Sequence, residues 1–171
     1  MTVRYAPPRL LGSGDELDSF ECRSSEQTNW LRRYARQAHT SNSAKVLVVT
    51  EVDSTAVVAY YAWCMASVSP VQLPARHRKG AGSYPQPVAL LARLGVDVQH
   101  ERRALGSALL ADVIRRAATL SDEIGCRALL VHCENADARG FYLHHAPEFE
   151  VSPTDELHLT LLMKDLLRLR R

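Results

Sequence analysis

The chain lacks the features that would announce a metal centre, a membrane span or a common nucleotide cradle. Its four cysteines, Cys22, Cys64, Cys126 and Cys133, form no Cys-x-x-Cys pair and have no histidines at zinc-finger spacing, so buried thiols are expected rather than ligands. His132 and Cys133 are neighbours on an expected strand, where successive side chains point to opposite faces and cannot share an ion; no metal is expected. No apolar run approaches the roughly 18 residues of a membrane span, and the N-terminal stretch MTVRYAPPRLLGSGDELDSF lacks the apolar centre of a signal peptide. No membrane contact is therefore expected, and the cytoplasm is the expected location. Charge of one sign is not in excess either: 21 Lys and Arg against 19 Asp and Glu leave +2, so any nucleic-acid surface must come from the distribution of charge. Neither Gly-x-x-x-x-Gly-Lys-Ser/Thr nor Gly-x-Gly-x-x-Gly occurs, which excludes the P-loop and dinucleotide fingerprints.

What is present is enough apolar content, 46% of 171 residues, for one domain over 1–171 with a substantial core, ending in a basic tail from about 166 to 171. Ser24 and Gln27 stand at capping-box spacing before Trp30, Leu31, Tyr34, Ala35 and Ala38, which predicts a helix ending near His39. Runs 44–52 and 56–68 read as a hairpin across Asp53-Ser54-Thr55, and 69–86, with its prolines and glycines, as a loop carrying Arg76-His77-Arg78-Lys79. A strand over 88–97, a helix from Leu105, a strand over 127–133, a helix over 136–143 and a strand over 157–163 complete the order. That order predicts an α/β (α+β) fold, a central mixed sheet flanked by helices. Gly95, mid-strand, is either a bulge site or a close-contact glycine.

Residues 87–110, PVALLARLGVDVQHERRALGSALL, bring an apolar strand through a short basic turn into a helix opening at Leu105-Gly106-Ser107-Ala108. A strand, a turn of small residues and a helix N-terminus aim several unpaired backbone N–H groups at one point, which suits a phosphorylated cofactor. The turn resembles the acetyl-CoA loop of the GCN5-related N-acetyltransferases, Gln/Arg-x-x-Gly-x-Gly/Ala. Arg103-Ala104-Leu105-Gly106-Ser107-Ala108 satisfies the letters, whereas Glu101-Arg102-Arg103-Ala104-Leu105-Gly106 better matches the usual distance from the strand and is preferred. In that register Glu101 replaces Gln or Arg and Ala104 replaces Gly, which requires Ala104 to keep a negative φ if the backbone is to approach a pyrophosphate. Arg102 and Arg103 add positive charge beside it.

Outside the loop, Phe20-Glu21-Cys22, Trp30-Leu31-Arg32-Arg33-Tyr34-Ala35-Arg36-Gln37, Ala59-Tyr60-Tyr61, Pro87 to Asp97, Ala138-Arg139-Gly140-Phe141-Tyr142 and Val151 to Leu166 look like the acetyltransferase toxins of type II toxin–antitoxin modules. The resemblance spans about 10–166. It implies the acyl-CoA N-acyltransferase fold, in which two parallel strands, here 88–97 and 127–133, splay around the pantetheine arm. It also implies acetyl transfer from acetyl-CoA to the α-amino group of aminoacyl-tRNA, which blocks translation, a ribbon-helix-helix antitoxin and a homodimer.

An α-amino group has a reference pKa near 8, so a useful neutral fraction exists at neutral pH without a strong base. The resemblance places the Tyr142 phenol near the thioester sulfur as general acid, with Phe141 in the core. Leu94, Gly95 and Val96 are expected along the acyl group, with an N–H near Val96 for the oxyanion. Glu101, Arg102, Arg103, Ala104, Leu105, Gly106 and Ser107 are expected at the phosphates, and Asn135 at the pantetheine arm or as a helix N-cap. Asp97 is expected to order the turn. After Tyr142 the family usually continues Tyr-x-x-x-Gly-Phe, whereas Leu143-His144-His145-Ala146-Pro147-Glu148-Phe149 is longer and lacks the glycine. Arg32, Arg33, Arg36, Arg76, Arg78, Lys79 and Arg93 are the candidate RNA track, a solvated face being the ordinary alternative. An acetyltransferase of small amines or protein lysines, and a CoA-binding module without turnover, remain the other two readings.

Overall fold

The structure, a computed structural model, describes residues 2–169. Its strands are β1 (Arg9–Leu10), β2 (Lys45–Thr50), β3 (Val57–Val68), β4 (Gln86–Val96), β5 (Ala128–His132), β6 (Glu150–Val151) and β7 (His158–Leu162). Its helices are α1 (Ser25–Arg33), α2 (Ala35–Thr40), α3 (Ala75–Arg78), α4 (Leu105–Glu123), α5 (Ala136–His145) and α6 (Met163–Leu169), with short 3-10 turns at Pro70–Gln72 and Val98–His100. The strands form one mixed sheet in the order β1-β2-β3-β4-β5-β7-β6. β4 and β5 are parallel, and the β1/β2, β2/β3, β5/β7 and β6/β7 pairs are antiparallel. The expected tail from 166 lies in α6 as far as Leu169; Arg170 and Arg171 lie outside the described residues. No helix among the described residues is long and apolar enough to cross a membrane.

The helix expected from Ser24 to His39 is two helices. Ser24 caps α1, its hydroxyl oxygen accepting from the Gln27 N–H, and Thr28 and Leu31 are buried. At Tyr34 the backbone departs to φ −119° and α2 starts afresh at Ala35. The loop over 69–86 is partly ordered by the Pro70 turn and α3, and β1, β6 and α6 are elements the sequence pattern does not predict.

The chain divides into two compact units: one runs to Cys64 and resumes over Ala92–Asp112, and the other comprises Met65–Leu91 and the chain from Val113 onward. In the first, Phe20, Leu31, Val46, Val48 and Tyr60 form a buried cluster beneath α1, with Trp30 packed against it. In the second, Val68, Leu73, Val88, Ala128 and Leu130 form another. Each fully buried side chain of this size contributes about 1.5–3 kcal/mol. A carboxylate is buried in the first unit as well: Asp112 on α4 accepts a 2.7 Å hydrogen bond from the Tyr61 hydroxyl, and such a group is tolerated in a core only when so paired.

Two features set β4 and β5 apart. The parallel pairing runs from Val88/Ala128 to Leu91/Val131, β5 ends at His132, and β4 continues to Val96. Between β3 and β4 the side-chain alternation slips. Val88 and Leu90 pack with Val68, an even-numbered residue of β3, whereas Gly95 meets Tyr60, another even-numbered β3 residue. Residues of opposite parity meeting one face mean an extra residue in one of these two strands between the two contacts, the mark of a bulge.

Candidate functional site

In the first unit the turn before α4 has an unusual backbone. Arg102 and Ala104 both have φ of 61°, flanking Arg103, which is not left-handed. The negative φ expected for Ala104 is thus overturned: the residue takes the left-handed conformation that glycine would adopt without cost, and alanine does so at about 1–2 kcal/mol. The physical reason is the turn itself, because alternating hands curl successive N–H groups toward one concave side, an anion nest. The Ala104 carbonyl then accepts from the Ala108 N–H and the Ser107 hydroxyl, so the helix starts tightly while the N–H groups of its first turn stay unpaired. Arg102, Arg103 and Ala104 are exposed. This donor set fits a pyrophosphate.

Glu101 is less an anion-repelling carboxylate than its place in the motif suggests. It receives a bidentate pair from Arg23, at 2.7 and 2.9 Å, and the Arg23 partnership holds its carboxyl below the usual range. Asp97 orders the preceding turn as expected, accepting from the Gln99 N–H at 2.9 Å and the Glu21 N–H at 3.0 Å. His100 is committed to the Tyr5 hydroxyl at 2.7 Å and faces Glu51 at 3.5 Å. Gly95 is a close-contact glycine: a Cβ there would stand 3.1 Å from the Tyr60 ring, 3.3 Å from Cys22 Sγ and 3.4 Å from the Phe20 ring. Leu94 and Val96, on either side of it, are half-buried.

In the second unit Asn135 is the N-cap of α5, its Oδ1 accepting from the Ala138 N–H at 2.9 Å, which leaves its amide NH2 free to donate. Tyr142 is buried on this helix, while Phe141, expected in the core, is the half-exposed neighbour, packed edge-on against Tyr142. The Tyr142 hydroxyl makes no hydrogen bond to another described residue. Burial, reinforced by nearby Cys133, raises its pKa, so the phenol is protonated throughout the physiological range and available as a donor. Cys133 is itself pushed up to about 11 by burial, an inert thiol rather than a nucleophile.

The seven basic residues separate into two groups. Arg32 donates to the Phe20 carbonyl at 2.8 Å, Arg36 to the Gly12 and Asp15 carbonyls, and Arg93 pairs with Glu26 at 2.9 Å while lying over the Trp30 ring. Arg76 bridges Asp165 and Glu150 at 2.8 and 3.2 Å. These four are structural clamps first. Arg33, Arg78 and Lys79 are exposed, and their side chains form no ion pair or hydrogen bond with the described residues. Sequence reading missed the Arg23 partner of Glu101 and a stacked pair, His132 and His158; the one available signal was that both histidines continue the buried faces of strands β5 and β7.

Comparison with known proteins accords with this geometry. The chain is 40% identical over 161 residues, 94% of each chain, to a tRNA-acetylating toxin of Mycobacterium tuberculosis. The toxin AtaT complexed with acetyl-methionyl-tRNAfMet superposes with a TM-score of 0.87 at 19% identity, covering 98% of this chain and 99% of that one. A mutant AtaT bound to the C-terminus of the antitoxin AtaR and acetyl-CoA superposes with a TM-score of 0.79 at 18% identity, covering 99% and 98%. Residues 15–146 match the acetyltransferase (GNAT) family, and with its nest, its helix start and its mixed seven-stranded sheet the chain belongs to that family.

Proposed function

We propose that this chain is a toxin that transfers acetyl from acetyl-CoA to the α-amino group of aminoacyl-tRNA, so that the capped amine can no longer form a peptide bond. The observation that carries the reading is the 40% identity, over 94% of both chains, to a relative that acetylates tRNA.

Acetyl-CoA supplies the activated acyl group as a thioester. The left-handed turn at Arg102 and Ala104, with the N–H groups of Leu105, Gly106 and Ser107 and the Arg103 guanidinium, binds the pyrophosphate. Glu101 steadies that turn through Arg23 rather than touching the cofactor. Leu94 and Gly95 line the acyl end, the Val96 N–H polarises the carbonyl oxygen, and Asn135 donates to the pantetheine arm. Tyr142 donates a proton to the departing sulfur; its raised pKa keeps the proton in place until the thiolate develops. Arg33, Arg78 and Lys79 hold phosphates of the RNA in a salt-dependent way. The whole of 1–171 acts as a single catalytic domain, as a homodimer in the cytoplasm, and is neutralised by an antitoxin of the ribbon-helix-helix type.

Incubation with labelled acetyl-CoA and total charged tRNA tests the reading: label recovered as N-acetyl amino acid after ester hydrolysis is expected. Label appearing on free amines or protein lysines and never on charged tRNA would replace it with a general amine acetyltransferase. Cofactor binding with no transfer to any acceptor would replace it with a binding module.

A further inference from the structure

The second unit contains a basic cavity that the assigned roles do not account for. It has a volume of about 520 Å³, and Arg76, Lys79, Arg127 and Lys164 line it together with Leu162 and Met163; no carboxylate does. The four cations come from three separate parts of the chain: the end of α3, the residue before β5 and the first turn of α6. Folding therefore gathers like charge at one place, which is unfavourable until an anion offsets it.

Carboxylates of the described residues offset one of the four. Arg76 is bridged to Asp165 and Glu150 at 2.8 and 3.2 Å. Lys79 and Lys164 are exposed, and their ammonium groups form no ion pair or hydrogen bond with the described residues. Arg127 gives Nη2 to the His77 and Lys79 carbonyls, which fixes the guanidinium without neutralising it. Its Nε is buried and, like Nη1, has no partner among the described residues. A held guanidinium with spare donors, in one cavity with two unpaired ammonium groups, is a receptor for an oxyanion with more than one free oxygen. Two observations choose among such anions. The volume exceeds what a simple ion fills, and Leu162 and Met163 offer apolar surface to a carbon skeleton attached to it. Arg78, exposed and unpaired on α3 but outside the cavity lining, carries positive charge past the cavity. A phosphodiester backbone, with two free oxygens and a sugar at each repeat, uses both.

We propose that this cavity seats one backbone phosphate of the aminoacyl-tRNA, with Lys79, Lys164 and the spare donors of Arg127 as its ligands and Arg76 as a fixed wall. The inference rests on the reading of the chain as an aminoacyl-tRNA acetyltransferase. It does not require the cavity to adjoin the acyl site, because RNA carries a phosphate at every nucleotide and is gripped at points along its length. Lys79 belongs to the RNA track already proposed; Arg127 and Lys164 are new to it, and the three act on the same phosphate.

The test is tRNA affinity, by filter binding at low salt, for wild type, Lys79→Ala, Lys164→Ala, the double variant and Lys164→Arg, with acetyl-CoA affinity measured alongside. Each alanine variant is expected to bind tRNA roughly 10-fold more weakly at an unchanged melting temperature and unchanged acetyl-CoA affinity, and Lys164→Arg to restore binding. The double variant is expected to lose less than the product of the two single losses, because both side chains serve one phosphate. Ethylating that phosphate, which removes its charge, should weaken binding to wild type and make no difference to the double variant. Wild-type affinity in Lys164→Ala, losses that multiply in the double variant, the same ethylation pattern in both proteins, or a fall in acetyl-CoA affinity alongside overturns the proposal. Binding of poly-glutamate that needs Lys79 and Lys164, with tRNA affinity unchanged in the variants, also overturns it and gives the cavity to an acidic protein segment. If wild type acetylates charged tRNA and the variants bind it as wild type does, this inference alone fails; if wild type acetylates none, the functional reading fails first.

Discussion

Tyr60 fills the space that a side chain at Gly95 would need. A Cβ at Gly95 would lie 3.1 Å from Tyr60 Cε1, and the tyrosine cannot withdraw: its hydroxyl donates to the Gln27 carbonyl at 2.7 Å, Trp30 stacks on one side and Phe20 meets it edge-on. The glycine therefore lets β4 lie close against Tyr60 and Phe20, just before the turn with left-handed Arg102 and Ala104. Gly95→Ala is expected to destabilise by about 1–3 kcal/mol, the usual cost of overfilling a core, read as a lower urea midpoint.

Ala104 presents the opposite case, a side chain where the backbone would suit glycine. With φ at 61° it carries left-handed strain. Ala104→Gly removes that strain but gives the unfolded chain more freedom, so a net gain of up to about 1 kcal/mol is expected. Acetyl-CoA affinity, measured by calorimetry, should hold or improve, because the N–H groups proposed to bind phosphate keep their directions.

Acid stability should depend on His77. Its ring is wholly buried on α3, with Nδ1 2.8 Å from the Thr160 hydroxyl and Nε2 against the Glu150 carboxylate. Burial holds its pKa below the ordinary histidine value, against the upward pull of Glu150. The unfolded chain then binds the proton more readily than the folded one. Stability is complete above about pH 6.5 and declines as pH falls through that value. Urea midpoints at about pH 7.5 and pH 5 should differ, and by less in His77→Gln.

The arginines of α1 and α2 should behave differently from one another although the sequence sets them close together. Arg36→Ala removes two hydrogen bonds to carbonyls at the surface and should cost about 1 kcal/mol of stability with little change in tRNA affinity. Arg33→Glu and Lys79→Glu should leave the melting temperature unchanged, weaken tRNA binding and flatten its dependence on salt, by a slope of about one for each phosphate no longer bound. Filter binding at two salt concentrations separates the two behaviours.

What could be read from the sequence was local. Ser24 with Gln27 forecast the start of α1 because a cap is decided within three residues, and the strand–turn–helix at Leu105 was visible because its periodicity changes there. The two-residue strands β1 and β6 were not visible, since two residues carry no alternation. The handedness of Ala104 was missed because alanine gives no hint of a left-handed backbone. The clamps of Arg32 and Arg93 were missed because Phe20 and Glu26, their partners, lie 12 and 67 residues away along the chain. The resemblance to the toxin acetyltransferases named Tyr142, but only the fold shows a buried phenol whose hydroxyl has no hydrogen-bond partner among the described residues.

The most direct test of the central claim is labelled acetyl transfer to charged tRNA by wild type and Tyr142→Phe, with acetyl-CoA affinity measured on both. The account predicts N-acetylated aminoacyl-tRNA from wild type, and from the variant a rate lower by roughly 100-fold or more at unchanged acetyl-CoA affinity. Equal rates from the two proteins, or acetylation of free amines with charged tRNA untouched, would contradict it.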